Sequence, residues 1–341
     1  MATHPHSLDV ADAWQAEAET WSFAMVTPDA VVGGYLDFVL ERLAANGFEV
    51  RATRLLKLDY ERLGRMYSHR DDPPVPTGDR IELPGSVMKP LYQLAPAVVL
   101  VVRRAAGDAC AALLRTKGAT RPDAAAPGTV REAGEHAIFN FMHCPDDAPS
   151  AAIELGYLVG VDEAAALCAA ALAGESDPRA GLLGLDALRP GLPAFSGWEV
   201  LSFPLLANRL RWRLVQALAT RAGDQDLETL HGARDGLVRE RASLLAAPDV
   251  AARMRLAQAA HPALHGALRT AAVAAGEDVI GTGLDALAEL YDLEGARELP
   301  PLLALEGRGI YLSELEKVAL DAHRHAFWVE AQPPRIIVPR A

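Results

Sequence analysis

Five apolar residues stand in a row from Val98 to Val102, inside "APAVVLVVRRAAG". A strand with one face in water alternates polar and apolar side chains. An unbroken apolar run therefore fits a strand buried on both faces. A chain that holds such a strand has to build a sheet and cover it, and the flanking segments offer the other layers. "SFAMVTPDAVVGG" opens with a short apolar run that ends at Thr27-Pro28-Asp29. It reads as a strand and a turn, with Asp29 near a helix start. "GGYLDFVLERLAANGF" sets Leu36, Val39, Leu40 and Leu43 at helical spacing, with Asn46-Gly47 as the stop. "EVRATRLLKL" is a second strand, "DYERLGRMYSHR" a short helix, and "GDACAALLRTKG" another helix. Residues 119–142 are rich in Pro, Gly and small side chains and read mostly as loop, whereas "PSAAIELGYLV" is helical with Ser150 as its cap. The order to residue 160 is β-α-β-α-β-α, then a long loop and a further helix. This predicts an α/β or α+β sandwich, a sheet with helices on one face.

Past "GLLGLDALRPGLPAFSGW" the pattern changes to long helices rich in Ala, Leu and Arg. Leu227, Leu230, Leu237, Leu244 and Leu245 mark one amphipathic stripe, and Leu284, Leu287, Ala288 and Tyr291 another. Ser313 to Glu316, "SELE", has the form of a capping box opening a last helix that runs to about Phe327. Arg209, Arg211 and Arg213, beside Trp212, read as snorkelling arginines on a surface helix, with a phosphate-binding or interface role as the alternative. The expected organisation is a leader at 1–20, an α/β domain at 21–174 with a proline-rich insertion near 71–86, a linker at 175–195 and a helical domain at 196–341.

Composition narrows the function classes. The chain has 341 residues, half of them hydrophobic, and a net charge of −12. Such an acidic surface repels nucleic acid and anionic membranes. Cys110, Cys144 and Cys168 form no CxxC pair, so neither a disulfide framework nor structural zinc is expected. With no signal peptide and no long apolar run, the expected compartment is a reducing cytoplasm. The histidine pairs His4/His6, His261/His265 and His323/His325 lack a third ligand in sequence reach and read as surface residues rather than metal sites.

Four segments carry chemistry: "FAMVTPDAV", "KGATRPDAAAPGTVRE", "FNFMHCPDD" and "SAAIEL". Over about residues 21–160 they resemble the nucleoside diphosphate kinase family. That resemblance implies a ferredoxin-like sandwich and a ping-pong reaction. The γ-phosphate of ATP or another nucleoside triphosphate, bound with Mg²⁺, passes through a phosphohistidine to a nucleoside diphosphate or another small acceptor. By the motif, His143 is the nucleophile and Glu154 bonds its far ring nitrogen. Thr120 and Arg131 match phosphate ligands, Asn140 a ribose contact, Tyr67 a tyrosine near the histidine, and Asp146 an acidic residue close to the metal-bound phosphates. A neutral imidazole backed by a carboxylate is a competent nucleophile near pH 7. The family assembles as hexamers or tetramers, so a homo-oligomer is expected.

The sequence also departs from that pattern. Thr27 stands where the family has a phosphate-contacting lysine before Pro-Asp; Lys89, Lys117 and Arg121 are candidate substitutes. Leu114 occupies the place of a second phosphate-binding arginine, with Arg115 one residue later. His-Gly-Ser-Asp has become His143-Cys144-Pro145-Asp146, and the base clamp maps to Pro84 and Ala137. Cys144 reads as a small residue in place of glycine. The alternative to an enzyme is a nucleotide-binding or scaffold protein with weakened catalysis.

Overall fold

The computed structural model describes residues 19–59, 62–63, 65–66, 85–173, 185–192, 197–221, 223–291 and 300–331. The described residues up to 198 form one compact unit, and those from 199 to 331 form a second.

The first unit is built on a four-stranded antiparallel sheet in the order β2-β3-β1-β4. Its strands are β1 (Trp21–Val26), β2 (Phe48–Leu56), β3 (Ala97–Arg104) and β4 (Met142–His143). The apolar run falls on β3, which pairs with β1 from Trp21↔Arg103 to Val26↔Val98 and with β2 on its other edge. All of β1 and the first six residues of β3 are buried. Side chains alternate between faces, so both faces of these middle strands are covered. Helices on one face alone, as the sequence suggested, would leave half of the Val98–Val102 run in water. The expected strands are present, as are the helices expected near 36–45, 109–117 and 148–159. The short helix expected over "DYERLGRMYSHR" falls largely outside the described residues, and the antiparallel sandwich agrees with the ferredoxin-like expectation.

The helices of this unit are α1 (Pro28–Val32), α2 (Leu36–Ala45), α3 (Gly85–Leu94), α4 (Ala109–Lys117), α5 (Ala148–Val159) and α6 (Val161–Ala173). Residues 85 and 86, which the sequence placed in the insertion, are the start of α3; residues 71–84 lie outside the described set. Asp147, not Ser150, caps α5: its carboxylate accepts from the Ser150 amide at 2.7 Å. Ser150 sits inside the first turn and is buried. Arg189, in the stretch expected to be linker, is paired with Asp37 of α2 and with Asp186.

The second unit is helical: α7 (Phe203–Ala219), α8 (Asp224–Ala246), α9 (Val250–Ala274), α10 (Asp278–Glu289), α11 (Pro300–Leu303) and α12 (Glu314–Ala331). Successive helices from α7 to α10 pack on one another. The capping box is present at α12, with Glu316 accepting from the Ser313 amide at 3.0 Å and the Ser313 hydroxyl accepting from the Glu316 amide at 3.2 Å. The surface-helix reading of α7 does not hold. Most of its residues are buried, and Arg211 is 1% exposed. Arg211 donates to Glu240 at 3.2 Å, contacts His261 Nδ1 and lies over the Tyr291 ring. Asn208 completes the cluster by donating to Glu240 at 2.7 Å. A guanidinium can be buried here only because a carboxylate and polar acceptors surround it. His323 is buried and stacked on Phe203, and His261 is half-buried against Arg211, so neither pair is the exposed surface feature expected. Among the described residues no helix is long and apolar enough to cross a membrane.

Candidate active site

The site begins where β1 ends. Thr27 leads into α1 with Pro28 at the first helical position, where a missing N–H costs nothing. The Thr27 amide donates to the Phe141 carbonyl at 3.1 Å, and the Asp29 carboxylate accepts from the Phe141 amide at 3.0 Å. Phe141 has φ +71°, a left-handed conformation that costs a side-chain-bearing residue energy. Those two bonds, with Phe141 stacked on Tyr35 at 4.0 Å, hold it there. Burial pushes the Asp29 carboxyl up to about 6, while the Thr27 hydroxyl and the Phe141 amide pull it back. The chain then enters β4, whose only two residues pair with Val26 and Met25 of β1. The second of them is His143.

His143 Nε2 lies 2.8 Å from Glu154 Oε2, and the two side chains are 15% and 5% exposed. Glu154 projects from α5, and the eleven-residue spacing of the motif is what returns the chain to the imidazole. Burial lowers the His143 pKa, Glu154 opposes that, and the nearby Lys117 and Arg131 charges add to it. The neutral ring is favoured. Arg131 is buried and donates to the Met142 carbonyl, next to His143, at 2.9 and 3.3 Å, and to the Thr120 hydroxyl at 3.1 Å. It therefore ties the loop after α4 to the strand that carries the histidine. Gly118 ends α4 at φ +85°, and a Cβ there would stand 2.5 Å from the Thr129 hydroxyl. Only glycine turns the chain so sharply toward Thr120.

The nucleoside diphosphate kinase family model matches residues 20–164, the region that contains all of these groups. A nucleoside diphosphate kinase of Moorella thermoacetica is 32% identical over 145 residues, which cover 39% of this chain and 89% of the relative. One from Pelobacter propionicus is 30% identical over 138 residues, covering 40% and 92%. The chain belongs to the nucleoside diphosphate kinase family. A solved nucleoside diphosphate kinase from Encephalitozoon cuniculi is 24% identical, covers 41% of this chain and 89% of its own, and has a TM-score of 0.34.

The family match lies within the first unit, and the structure distributes the motif residues unevenly there. His143, Glu154, Arg131 and Thr120 come together. Asn140 is one residue from the Phe141 turn and donates to the Ala137 carbonyl at 2.6 Å. Ala137 itself is fully buried, so it presents no face to a base here. Thr27 is buried against Asp29 and brings no charge. Arg115 is exposed on the last turn of α4 and takes no part in the contacts around His143. Asp146 is exposed, yet its charge is felt by Lys117 and Cys144. Tyr67 and Pro84 lie outside the described residues. Cys144 is buried, and burial raises its thiol pKa, which disfavours a reactive thiolate.

One contributor escaped the sequence reading, and a second stands there among three candidates. Asp29 was seen as a helix-start residue, but its carboxylate braces the turn that leads to His143. Lys117 was one of three candidate cations, and only burial separates it from the other two. The signal for Asp29 was present in the Pro-Asp pair; nothing in the sequence marks its partner, 112 residues away.

Proposed function

We propose that this chain is a nucleoside diphosphate kinase-like phosphotransferase acting through a phosphohistidine on His143. The observation that carries the reading is the 2.8 Å contact between His143 Nε2 and Glu154. It commits one ring nitrogen to a carboxylate and directs nucleophilic chemistry to Nδ1. In the proposed step the Nδ1 lone pair attacks the γ-phosphorus of a nucleoside triphosphate. The bond from that phosphorus to the bridging oxygen breaks, and the nucleoside diphosphate leaves with the electron pair. An oxygen of the acceptor then attacks the phosphorus and breaks the N–P bond, restoring the imidazole. Glu154 balances the positive charge that builds on the ring, and Arg131 and Thr120 present donors to phosphate oxygens.

Among the described residues no three His, Cys, Asp or Glu side chains group closely enough to hold a metal ion. Mg²⁺ would therefore arrive on the phosphates of its nucleotide and supply charge compensation there, and the exposed Asp146 carboxylate would be the protein group available to it. The acceptor is a nucleoside diphosphate or another small phosphate acceptor, and the expected assembly is a homo-oligomer.

The neutral Thr27 at the β1–α1 turn favours a second reading, a nucleotide-binding protein with weakened turnover. One experiment separates the two. Incubation with γ-labelled ATP and Mg²⁺ should give an acid-labile, alkali-stable label that His143→Ala abolishes, with nucleotide affinity retained. Binding without any label would favour the second reading, and a label that survives His143→Ala would remove His143 from the mechanism.

A further inference from the structure

Lys117 is the last residue of α4 and is 8% exposed. Among the described residues no carboxylate stands within ion-pair distance of its ammonium. A buried cation with no counter-ion among the described residues is costly, and burial pulls the Lys117 pKa below its ordinary value; an anion that comes to the ammonium would offset that cost. The identity of that anion follows from the surroundings. Lys117 faces the Cys144 thiol and acts electrostatically on His143, Arg131 and Asp146. Two cations thus converge on the ring that is to react, and each raises the other's need for negative charge. Asp146 is the acidic group Lys117 senses, but it is exposed and screened by water. Lys89 is exposed, and Arg121 is engaged by Asp123 at 2.7 Å, so neither competes for the role.

We propose that the Lys117 ammonium is a phosphate-binding group of the His143 site, holding the transferring phosphoryl group together with Arg131 and Thr120. The proposal deepens the phosphotransferase reading and rests on it for the word transferring. The anion it names is the terminal phosphate of a nucleoside triphosphate. A purely structural alternative exists, since a cation at a helix C-terminus interacts favourably with the helix dipole. Arg115, in the same last turn and exposed, already meets that need.

Two variants test the assignment, Lys117→Met and Lys117→Gln. Both remove a charge that is expensive to bury, so both should fold at least as well as the parent, which circular dichroism and urea unfolding check. Calorimetry then compares Mg·ATP, Mg·ADP and adenosine. The proposal predicts that ATP affinity falls by about tenfold or more and that adenosine affinity stays within twofold. Phosphoenzyme formation should slow by ~10² or more, the usual loss when a donor to transition-state charge is removed. ATP affinity unchanged within twofold, or an equal loss for ATP and adenosine, would overturn it. If the parent makes no phosphoenzyme, the transfer reading falls, and the ATP-to-adenosine comparison still decides whether Lys117 binds phosphate.

Discussion

His143 and Glu154 form a pair in which one partner sets the ionisation of the other. Burial, Lys117 and Arg131 all lower the His143 pKa from its ordinary value of 6.5, and Glu154 raises it. The neutral, nucleophilic ring therefore persists below pH 6.5 and is lost only as pH falls through the lowered value. The acid limb of the rate profile should lie below 6.5. Glu154→Gln removes the opposing influence, so that limb should move to still lower pH while the maximal rate falls by ~10². A limb that moves upward in Glu154→Gln would show that the carboxylate does not act on the ring as described. Stopped-flow measurement of phosphoenzyme formation between pH 4.5 and 8 reads both effects.

At the scale of elements, a two-residue strand carries the nucleophile. β4 exists because β1 offers it a free edge and because Phe141 is held at φ +71° just before it. Asp29→Ala would leave the Phe141 amide without its acceptor, at a cost of about 1–3 kcal/mol. The turn before His143 would relax, and phosphoenzyme formation should fall with stability. Asp29→Asn keeps an acceptor and should stay near the parent at neutral pH. Its acid behaviour should differ. Asp29 is raised from 3.8 to about 6, so its contribution to stability is full below 3.8 and lost as pH rises through 6. His136, buried and lowered to about 3, acts in the opposite sense: its contribution is present above 6.5 and lost as pH falls toward 3. Asp29→Asn removes the opposing limb, so stability should fall more steeply between pH 6 and 4 than in the parent. Urea titrations across that range check the slope; an identical slope would contradict the assignment for Asp29.

The same element shows what a sequence can and cannot reveal. β1, β2, β3, α2 and α4 are written in runs of several residues, and the His143, Glu154, Arg131 and Thr120 set is written in a motif, whereas α3, with Pro90 inside it, does not read as a helix. β4 is two residues inside a glycine- and proline-rich stretch, and its strand character comes wholly from pairing with β1. No period can show in two residues. Lys117 and Leu114 share one amphipathic turn, and burial, which alone distinguishes their roles, is a tertiary property. Arg211 looked like a surface arginine for the same reason: Glu240 and His261, which make its burial tolerable, are 29 and 50 residues away.

On the scale of the whole molecule, the described contacts of the candidate site come from residues 27–154, within the family-matched region 20–164. The arginines of α7 are engaged within the helical unit: Arg211 with Glu240, and Arg213 with Glu316 and the Tyr311 carbonyl. Burial raises the Glu240 pKa, and Arg211 and Asn208 oppose that. Glu240→Leu would strand a buried guanidinium, a change that costs about 3–5 kcal/mol, whereas pairing it with Arg211→Met should recover much of the loss. Helix content followed through thermal unfolding measures this. If Glu240→Leu alone is neutral, the cluster is not the organising feature of the helical unit.

The central claim is that His143 takes up a phosphoryl group at Nδ1 because Glu154 holds Nε2. Peptide mapping by mass spectrometry after brief exposure to Mg·ATP, with nuclear magnetic resonance to assign the nitrogen, tests it most directly. The predicted result is one phosphohistidine, at His143, bonded through Nδ1. Phosphate on another residue, on Nε2, or on no residue despite measurable ATP binding would contradict the account.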